Sequence, residues 1–256
     1  MYRLIFILLS VIVFSACRSD KQKDDFSFSE IKIARYDRLQ YEATVQNSFF
    51  SLQRMNTEFA QETRLLVEDV LDLGSVNMLD MNERLCTYFS DSILVHLMED
   101  VGEKFKDVSS IEENLTHGFK NLKKEIRELP VPKIYTQISA LNQSIVVGDS
   151  ILGISLDKYM GDDYPLYKKY YYANQRRSMS PEYIVPDCFT FYLLGQYPFL
   201  WLEGHRSLMD ILLYRGKIAW TVENVLEGDR SGKTALGYTK EEIKWCEQHE
   251  EELWKE

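Results

Sequence analysis

Apolar side chains recur every three or four residues through much of the N-terminal half of the chain. That spacing places them on one face of a helix and predicts helical structure. Gly74 marks a helix stop, and Pro130 and Pro132 disfavour helix in the residues that precede them. The predicted helices cover about residues 44–73, 80–98 and 109–129.

The pattern changes after Pro132, where short runs rich in strand-forming residues replace the helical spacing. The second and third runs are joined by Gly148-Asp149-Ser150 and predict a β-hairpin. The predicted strands are Lys133–Ser139, Ser144–Val147 and Ile151–Leu156, with a further short strand within Phe26–Arg38. So few strands make only a small sheet, which we expect to be antiparallel and covered by helices. The predicted fold class is therefore α+β and mostly helical.

Turn-forming residues and tyrosines fill the region 157–187, and helical spacing returns after it. The predicted C-terminal helices begin at Asp187, Ser207 and Thr239 and end near Tyr197, Leu226 and Trp254. Thr239 and Glu242 have the spacing of a capping box, which supports the start of the last helix. No linker after residue 26 is long enough to require two domains, so residues 27–256 are predicted to form a single domain.

The N-terminus has the pattern of a bacterial signal peptide. After the basic start at Arg3, residues 4–14 are apolar except for Ser10. Eleven helical residues rise only about 16 Å, too little to cross a hydrocarbon core of about 30 Å. We therefore assign residues 1–16 to a signal peptide. Residues 14–17, Phe-Ser-Ala-Cys, resemble the lipobox of bacterial lipoproteins, which implies that Cys17 carries acyl chains such as palmitate and begins the mature chain.

The residues after Cys17 are polar and charged, and we interpret residues 17–26 as a solvated, lipidated tether. Within it, Lys23, Asp24 and Asp25 resemble a short signal by which some bacteria send lipoproteins to the cell surface. Two alternatives remain open: Cys17 is incidental to a plain secretory signal, or the tripeptide occurs by chance.

Composition and charge narrow the functional classes. Of 256 residues, 45% are apolar and 13% aromatic, as in a folded globular protein, and 40 acidic residues outnumber 30 basic ones. A nucleic-acid partner is not expected, because binding phosphates requires a basic stripe. A nucleotide is not expected either: Gly232-Lys233-Thr234 lacks the glycine that a P-loop places at position 227, where this chain has a glutamate.

The motifs of common hydrolases are absent from the sequence. A zinc peptidase helix needs His-Glu-x-x-His, and the nearest start, His249-Glu250, has Leu253 at the fifth position. A site built from distant histidines, such as His205, stays open, but we expect no metal, no cofactor and no catalytic residue. Cys86, Cys188 and Cys246 fit no CxxC pattern, so they are either small buried residues or one disulfide with a thiol left over.

The turn-rich region supplies the candidate binding residues. Asp157 could gather with Asp162 and Asp163 around a ligand, although the spacing is not that of an EF-hand, or it could cap or turn the chain after its strand. The tyrosines could line a ligand surface or cover the core between helices and sheet. The binding candidates are Asp157, Tyr159, Tyr170 and Tyr171.

Several segments, taken in order, resemble the gliding-motility lipoprotein family of GldB type. They extend over nearly the whole mature chain, and their order makes the resemblance more specific than any one of them. The segments are Ile33–Leu39, Ile134–Ser139, Asn142–Val147, Leu152–Gly161, Pro181–Asp187 and the C-terminal stretch from Gly237 to Trp254.

That family in turn resembles zinc peptidases, and the comparison implies a zincin-like scaffold. In the peptidases the helix after the sheet carries His-Glu-x-x-His, and this helix corresponds here to about Asp187–Tyr197, which contains no histidine. A Glu-Gly pair on the next helix is replaced by Arg215-Gly216. The resemblance therefore implies a pseudo-peptidase, in which the scaffold is kept for binding and not for cleavage.

Together these observations predict a non-enzymatic lipoprotein of the bacterial envelope. We expect a lipid anchor in a membrane, with the outer membrane favoured, on its periplasmic or surface face. The expected partners are envelope proteins of a gliding-motility or envelope-assembly machinery. The alternatives are a zinc-dependent peptidase with atypical ligands, and a surface-displayed glycan or peptide binder that uses the tyrosines of residues 159–172.

Overall fold

The computed structural model describes residues 28–200, 207–227 and 237–253. The signal peptide, Cys17, the Lys23–Asp25 tripeptide and His205 lie outside these ranges. Within them, helices dominate and enclose one small sheet, so the α+β class predicted from the sequence is confirmed. No helix in the described part of the chain is long and apolar enough to span a bilayer.

The helices are numbered here in chain order. The first six, all before the main strands, are α1 Tyr36–Thr44, α2 Phe49–Thr57, α3 Ala60–Arg64 with a π-helical turn Leu65–Val70, α4 Met81–Tyr88, α5 Ser92–Lys104 and α6 Ser109–Glu125. The later ones are α7 Pro165–Tyr170, α8 Ala173–Arg176, α9 Ile184–Gln196, α10 Leu208–Val225, α11 Lys240–Gln248 and α12 Glu250–Leu253. Short 3₁₀ turns cover Leu156–Lys158 and Pro181–Tyr183.

The sheet is mixed, so the expectation of an antiparallel sheet was wrong. Its strands are β1 Ile33–Ala34, β2 Lys133–Gln137, β3 Ile145–Val147 and β4 Ile151–Ser155, in the spatial order β1-β2-β4-β3. β1 pairs with β2 and β2 with β4 in parallel, while β3 and β4 form the predicted antiparallel hairpin. The hairpin inserts β4, not β3, beside β2, and this places β2 and β4 in the same direction.

The region predicted as one long helix is divided into shorter pieces. Asn47 has a positive φ of 55° and Ser48 caps α2 by accepting a hydrogen bond from the backbone N–H of Ser51, so a turn separates α1 from α2. α1 itself was not predicted, because the residues before it have the alternation of a strand. Gly74 adopts a φ of 108° beyond the end of the π-helical turn, as a helix stop requires.

Helices cover both faces of the sheet. Tyr36 of α1 packs edge-on against Tyr135 of β2, with ring centroids 5.9 Å apart. Side chains alternate along a strand, so Leu152 faces the other way from Gly153, the register partner of Tyr135. Val147, which pairs with Leu152, lies against Gly195 of α9 on that second face. The core therefore consists of two apolar layers with the sheet between them.

Candidate functional site at the carboxyl ends of the parallel strands

Two loops meet at one edge of the sheet because β2 and β4 run in the same direction. Residues 138–142 follow β2 and residues 156–160 follow β4. In parallel sheets the loops after the carboxyl ends of neighbouring strands form the usual location of binding sites. The side chains of these two loops therefore form the candidate site.

Asp157 is the centre of this edge. Its carboxylate is fully buried and accepts hydrogen bonds from the backbone N–H groups of Ser139 and Leu141 at 2.9 and 2.6 Å. The Ser139 hydroxyl adds a third donor at 3.1 Å. Burial raises the pKa of the Asp157 carboxyl, and these hydrogen bonds oppose that rise by favouring the charged form. The carboxylate therefore holds the preceding loop, and direct contact with a ligand stays a prediction.

The loop that Asp157 holds has an unfavourable backbone conformation. Ala140 and Leu141 both have positive φ angles, 52° and 66°, although neither is a glycine. The Leu141 carbonyl accepts hydrogen bonds from the Tyr171 hydroxyl at 2.9 Å and from Lys158 Nζ at 3.2 Å. Residues other than glycine keep a positive φ only where the surrounding contacts hold them in that conformation. Here Asp157 fixes the N–H side of the loop, and Lys158 and Tyr171 fix its carbonyl.

Just beyond the end of β2, a side chain of α1 makes the backbone hydrogen bonds that a neighbouring strand would make. The fully buried Gln40 donates from Nε2 to the Ile138 carbonyl and accepts from the Ile138 N–H, both at 2.9 Å. One residue earlier, Gln137 donates from Nε2 to the Ser155 hydroxyl at 3.1 Å. Its Oε1 is buried without a hydrogen-bond partner among the described residues. Gln40 was not recognised in the sequence, because a single glutamine in a helix gives no periodic signal.

An ion pair at the start of α1, which was also not identified in the sequence, contacts β2. Arg35 binds both carboxylate oxygens of Asp37, at 2.9 and 2.7 Å, and donates to the Phe105 carbonyl at 2.8 Å. The Thr136 hydroxyl donates a further hydrogen bond to Asp37. Asp37 is buried, and its charge is matched by this bidentate arginine. The pair connects the start of α1 with the middle of the sheet.

Tyr159 connects the second loop to α9. Its ring is buried and its hydroxyl donates a 2.7 Å hydrogen bond to Asp187. Burial raises the pKa of the half-buried Asp187 carboxyl to about 6, and the hydrogen bond from Tyr159 opposes the rise. The next residue, Cys188, is fully buried, and burial raises the pKa of its thiol well above the ordinary value. A thiol in this environment is a poor nucleophile.

The tyrosines divide into buried supports and exposed rings. Tyr167 is buried, donates to the Asp157 carbonyl and accepts from the Met160 N–H at 2.9 Å. Tyr170 and Tyr172 are 56% and 80% exposed. Of the four predicted binding residues, Asp157 and Tyr159 are therefore covered, Tyr171 is half-buried and Tyr170 faces solvent. The buried members therefore cover the core, as one of the two alternatives expected, and a ligand surface formed by the exposed members stays a prediction.

The predicted grouping of acidic residues is not seen, since Asp163 forms an ion pair with Lys168 at 2.9 Å. Among residues 28–200, 207–227 and 237–253, no three His, Cys, Asp or Glu side chains lie close enough to hold a metal ion. The histidines in these ranges have separate partners: His96 contacts Glu99, His117 contacts Glu227, and His249 stacks on Trp245. Cys86, Cys188 and Cys246 are all free thiols.

Comparison with known proteins identifies the family. The family model described as gliding motility protein GldB matches residues 18–256. The chain belongs to this family of gliding-motility lipoproteins. Neither a curated protein nor a solved structure matches significantly.

The segments that carried the resemblance in the sequence are in contact in the fold. Ile33 pairs with Ile134, and Thr136 bonds to Asp37. The 138–142 loop is held by Asp157, and Tyr159 reaches Asp187 at the start of α9. The carboxyl edge of the sheet is thus where four family segments, far apart in sequence, come together.

Proposed function

We propose that the protein is a lipid-anchored component of the outer-membrane envelope that serves a gliding-motility machinery through protein contacts, without catalysis. The observation that carries the proposal is the family match, which begins at residue 18, immediately after the lipobox cysteine. Family membership supports a place in the cell envelope, and the pattern of residues 1–17 supplies the means of attachment.

The anchor is supported by the chemistry of the N-terminus. Residues 4–14 suit a cleaved signal peptide, and small residues precede Cys17 as lipid attachment requires. Two or more acyl chains hold a protein stably on a bilayer, because each buried CH₂ contributes about 0.8 kcal/mol. The full chain has a formal net charge of −10 and therefore no general attraction to anionic lipids, which leaves the attachment to apolar groups such as the acyl chains.

The absence of catalysis is a proposal supported by the state of the polar groups at the candidate site. Asp157 uses its carboxylate oxygens to hold the 138–142 loop, and the Cys188 thiol is buried. Asp187 remains accessible in part, but its hydrogen bond from Tyr159 fixes it between two elements of the scaffold. The helix that would carry the metal-binding motif of a peptidase, α9, contains no histidine. These features favour a scaffold kept for binding.

Tyr170 and Tyr172 form the proposed contact surface. Both rings are exposed, and exposed aromatic side chains are frequent anchors of protein interfaces. Beneath them Tyr171 is fixed by its bond to the Leu141 carbonyl, and Lys158 lies 4.5 Å from the Tyr171 ring centroid. The exposed rings are therefore carried by a segment that is tied to the sheet edge, which limits the entropy lost on binding.

Lipidation is tested with Cys17→Ala, and Cys86→Ala is the matched control. When the variants are expressed in the organism that produces the protein, we expect Cys17→Ala to be found in the soluble fraction and Cys86→Ala to remain in the membrane fraction. Mass spectrometry of the N-terminal peptide should show acyl chains on Cys17. An unmodified Cys17 sulfur in the mature protein would contradict the anchor.

The contact surface is tested by cross-linking in intact cells followed by affinity capture. We expect Tyr170→Ala with Tyr172→Ala to lose the captured envelope proteins, while Tyr238→Ala, which removes another exposed tyrosine, retains them. Unchanged capture by the double variant would place the contact elsewhere. Binding of a glycan or an extracellular peptide in place of an envelope protein would favour the surface-displayed binder, the second function that these exposed rings suit.

The peptidase alternative predicts a different result. A zinc-dependent enzyme with atypical ligands would retain about one zinc ion per chain after extensive dialysis. We expect elemental analysis to find no stoichiometric metal and peptide libraries to remain uncleaved. Turnover of any peptide, lost together with zinc on His205→Ala, would contradict a non-catalytic function.

A further inference from the structure

The first half of α10 is an apolar surface that is left uncovered by the residues that the structure describes. Five large apolar side chains of this helix are strongly exposed: Leu208 71%, Met209 43%, Leu212 49%, Leu213 55% and Trp220 68%. None of residues 208–217 is buried, whereas Ile218, Val222 and Val225 anchor the second half of the helix in the core. At 100° per residue the five exposed side chains fall within an arc of about 140°.

The middle of this face is open. A Cβ built on Gly216, which lies within the same arc, would meet nothing within 4 Å. The exposed apolar part of the arc thus extends from Leu208 to Gly216, about two turns, and Trp220 continues it beside the buried Ala219. Leaving this apolar surface in water is unfavourable. Contiguous exposed apolar surface of this kind marks a contact site.

The residues that border the face indicate what covers it. Arg215 and Lys217 lie near its two edges, and Trp220 lies on the face itself. Cationic side chains beside an apolar stripe that contains leucine and tryptophan are the pattern of helices that lie in a membrane interface. Two acids lie on this helix before Val225: Asp210 caps it by accepting from the Ser207 N–H at 3.0 Å, and Glu223 falls within the arc three residues beyond Trp220.

The position of the tether makes a bilayer available to this helix. The 28–34 segment packs on α6, where the Ile31 N–H donates to Thr116, and the C-terminal end of α10 packs on the same helix, where Asn121 donates to the Val225 carbonyl at 3.0 Å. From Cys17 to Phe28 the chain can extend about 35–40 Å, while α10 is about 27 Å long. A lipid on Cys17 therefore keeps α10 within reach of the membrane surface.

We propose that the apolar face of α10 (Leu208, Met209, Leu212, Leu213 and Trp220) lies in the interfacial region of the membrane to which the protein is anchored. The inference rests on the proposed lipid anchor for its setting. The contact gives the body a fixed orientation, with α10 against the lipid and the exposed tyrosines available to partners. A second copy of the chain or a protein partner on this face would be a different occupant.

The test uses the full native chain with vesicles of phosphatidylethanolamine and phosphatidylglycerol, part of which carries bromine on the acyl chains. Bromine quenches tryptophan fluorescence only at close range. We expect strong quenching in the native protein, loss of most of it in Trp220→Phe, and little change in Trp245→Phe, which removes another exposed tryptophan, on α11. Quenching that does not depend on Trp220 would overturn the proposal.

A second measurement separates this contact from the anchor. In the Cys17→Ala background, we expect Leu212→Glu with Leu213→Glu to lower vesicle partitioning by at least about tenfold, because both leucines would otherwise bury apolar surface in the lipid. Leu79→Glu, at a fully exposed leucine elsewhere, is expected to change it little. Equal partitioning of all three proteins would overturn the α10 contact, and so would a stable dimer in sedimentation that the glutamates dissociate. If mass spectrometry finds Cys17 unmodified while partitioning still depends on α10, the lipid anchor is contradicted and the α10 contact is retained.

Discussion

The carboxylate of Asp157 fixes the backbone conformation of a neighbouring loop. The sequence left two roles for it, ligand binding or turning the chain after a strand. In the fold its oxygens accept from Ser139 and Leu141, which are 18 and 16 residues away. The second of these donors lies in a residue with a left-handed backbone that a leucine rarely adopts. Replacing the carboxylate therefore removes the partners of a strained segment.

We expect Asp157→Asn to lower the free energy of unfolding by about 2–3 kcal/mol. The amide can present only one acceptor oxygen, so an N–H of the loop faces an NH₂ group and loses its buried partner. Urea denaturation followed by tryptophan fluorescence measures the change. Asp163→Asn is the control, because its ion pair with Lys168 lies on the surface, where solvent screening leaves it little effect on stability. Equal effects of the two variants would contradict the role given to Asp157.

Asp187 should make stability depend on pH in the direction opposite to most carboxylates. Its pKa is raised to about 6 in the folded state from 3.8, so the folded protein holds this proton more tightly than the unfolded chain. The stability it contributes is complete below pH 4 and is lost as the pH rises through about 6. Asp187→Asn, a neutral isostere that can still accept from Tyr159, should remove this loss.

The measurement is the difference in unfolding free energy between Asp187→Asn and the native protein across this pH range. We expect the variant to gain about 1–2 kcal/mol relative to the native protein between pH 4 and 7. Asp163→Asn should behave in the opposite sense, because Lys168 lowers the pKa of Asp163. A difference for Asp187→Asn that does not change with pH would refute the raised pKa.

At the scale of elements, the sheet depends on a close approach between neighbouring strands. Gly153 of β4 lies beside Tyr135 of β2, and a Cβ at Gly153 would lie 2.5 Å from the end of the tyrosine ring. The Tyr135 ring is buried and packs against Tyr36, so it has little room to move. The glycine is required here for space and not for an unusual backbone angle.

Gly153→Ala should therefore destabilise the protein by about 1–3 kcal/mol, the usual cost of overpacking a core. Gly102→Ala, in the exposed part of α5 where a Cβ meets nothing within 4 Å, should stabilise it by about 0.5–1 kcal/mol. Thermal and urea unfolding measure both. In the double variant with Tyr135→Leu, the Gly153→Ala cost should fall; an unchanged cost would show that the Tyr135 ring is not the obstacle.

Local patterns predicted what local residues determine. The β3–β4 hairpin, α9, α10 and the capping box of α11 were all predicted, because turn residues, helical spacing and the Thr239–Glu242 pair act within a few positions. The parallel pairings were not predicted, because Ile33 and Ile134 are far apart in sequence and pair only after the helices between them have folded. α1 was missed, and the 44–73 helix was predicted without the left-handed Asn47 that interrupts it.

The candidate site was predictable in part for the same reason. Asp157 and the tyrosines were identified because several functional residue types cluster in a turn-rich segment. Gln40, Arg35 and Asp37 were not identified as site residues, because their importance depends on β2 lying beside them, about 100 residues later. Which tyrosines face solvent could not be predicted either, since their spacing is the same for buried and exposed members.

For the whole molecule, the proposed attachment has a consequence for extraction. The full chain has a formal net charge of −10, so ionic attraction to anionic lipids cannot be the main bond to the membrane. We expect membrane fractions to retain the protein in about 1 M NaCl and at alkaline pH, and detergent to release it. Release by salt alone would indicate a peripheral protein held by charge and would contradict lipidation.

The register of the sheet also governs the order of events during biogenesis. β1 is near the start of the mature chain, yet its partner begins at Lys133, and β4, which completes the central pairing, ends at Ser155. A polypeptide threading through a secretion channel from its N-terminus cannot close this sheet until about 120 further residues have emerged. If Cys17 is acylated as proposed, that reaction would take place on a chain whose sheet has not yet formed.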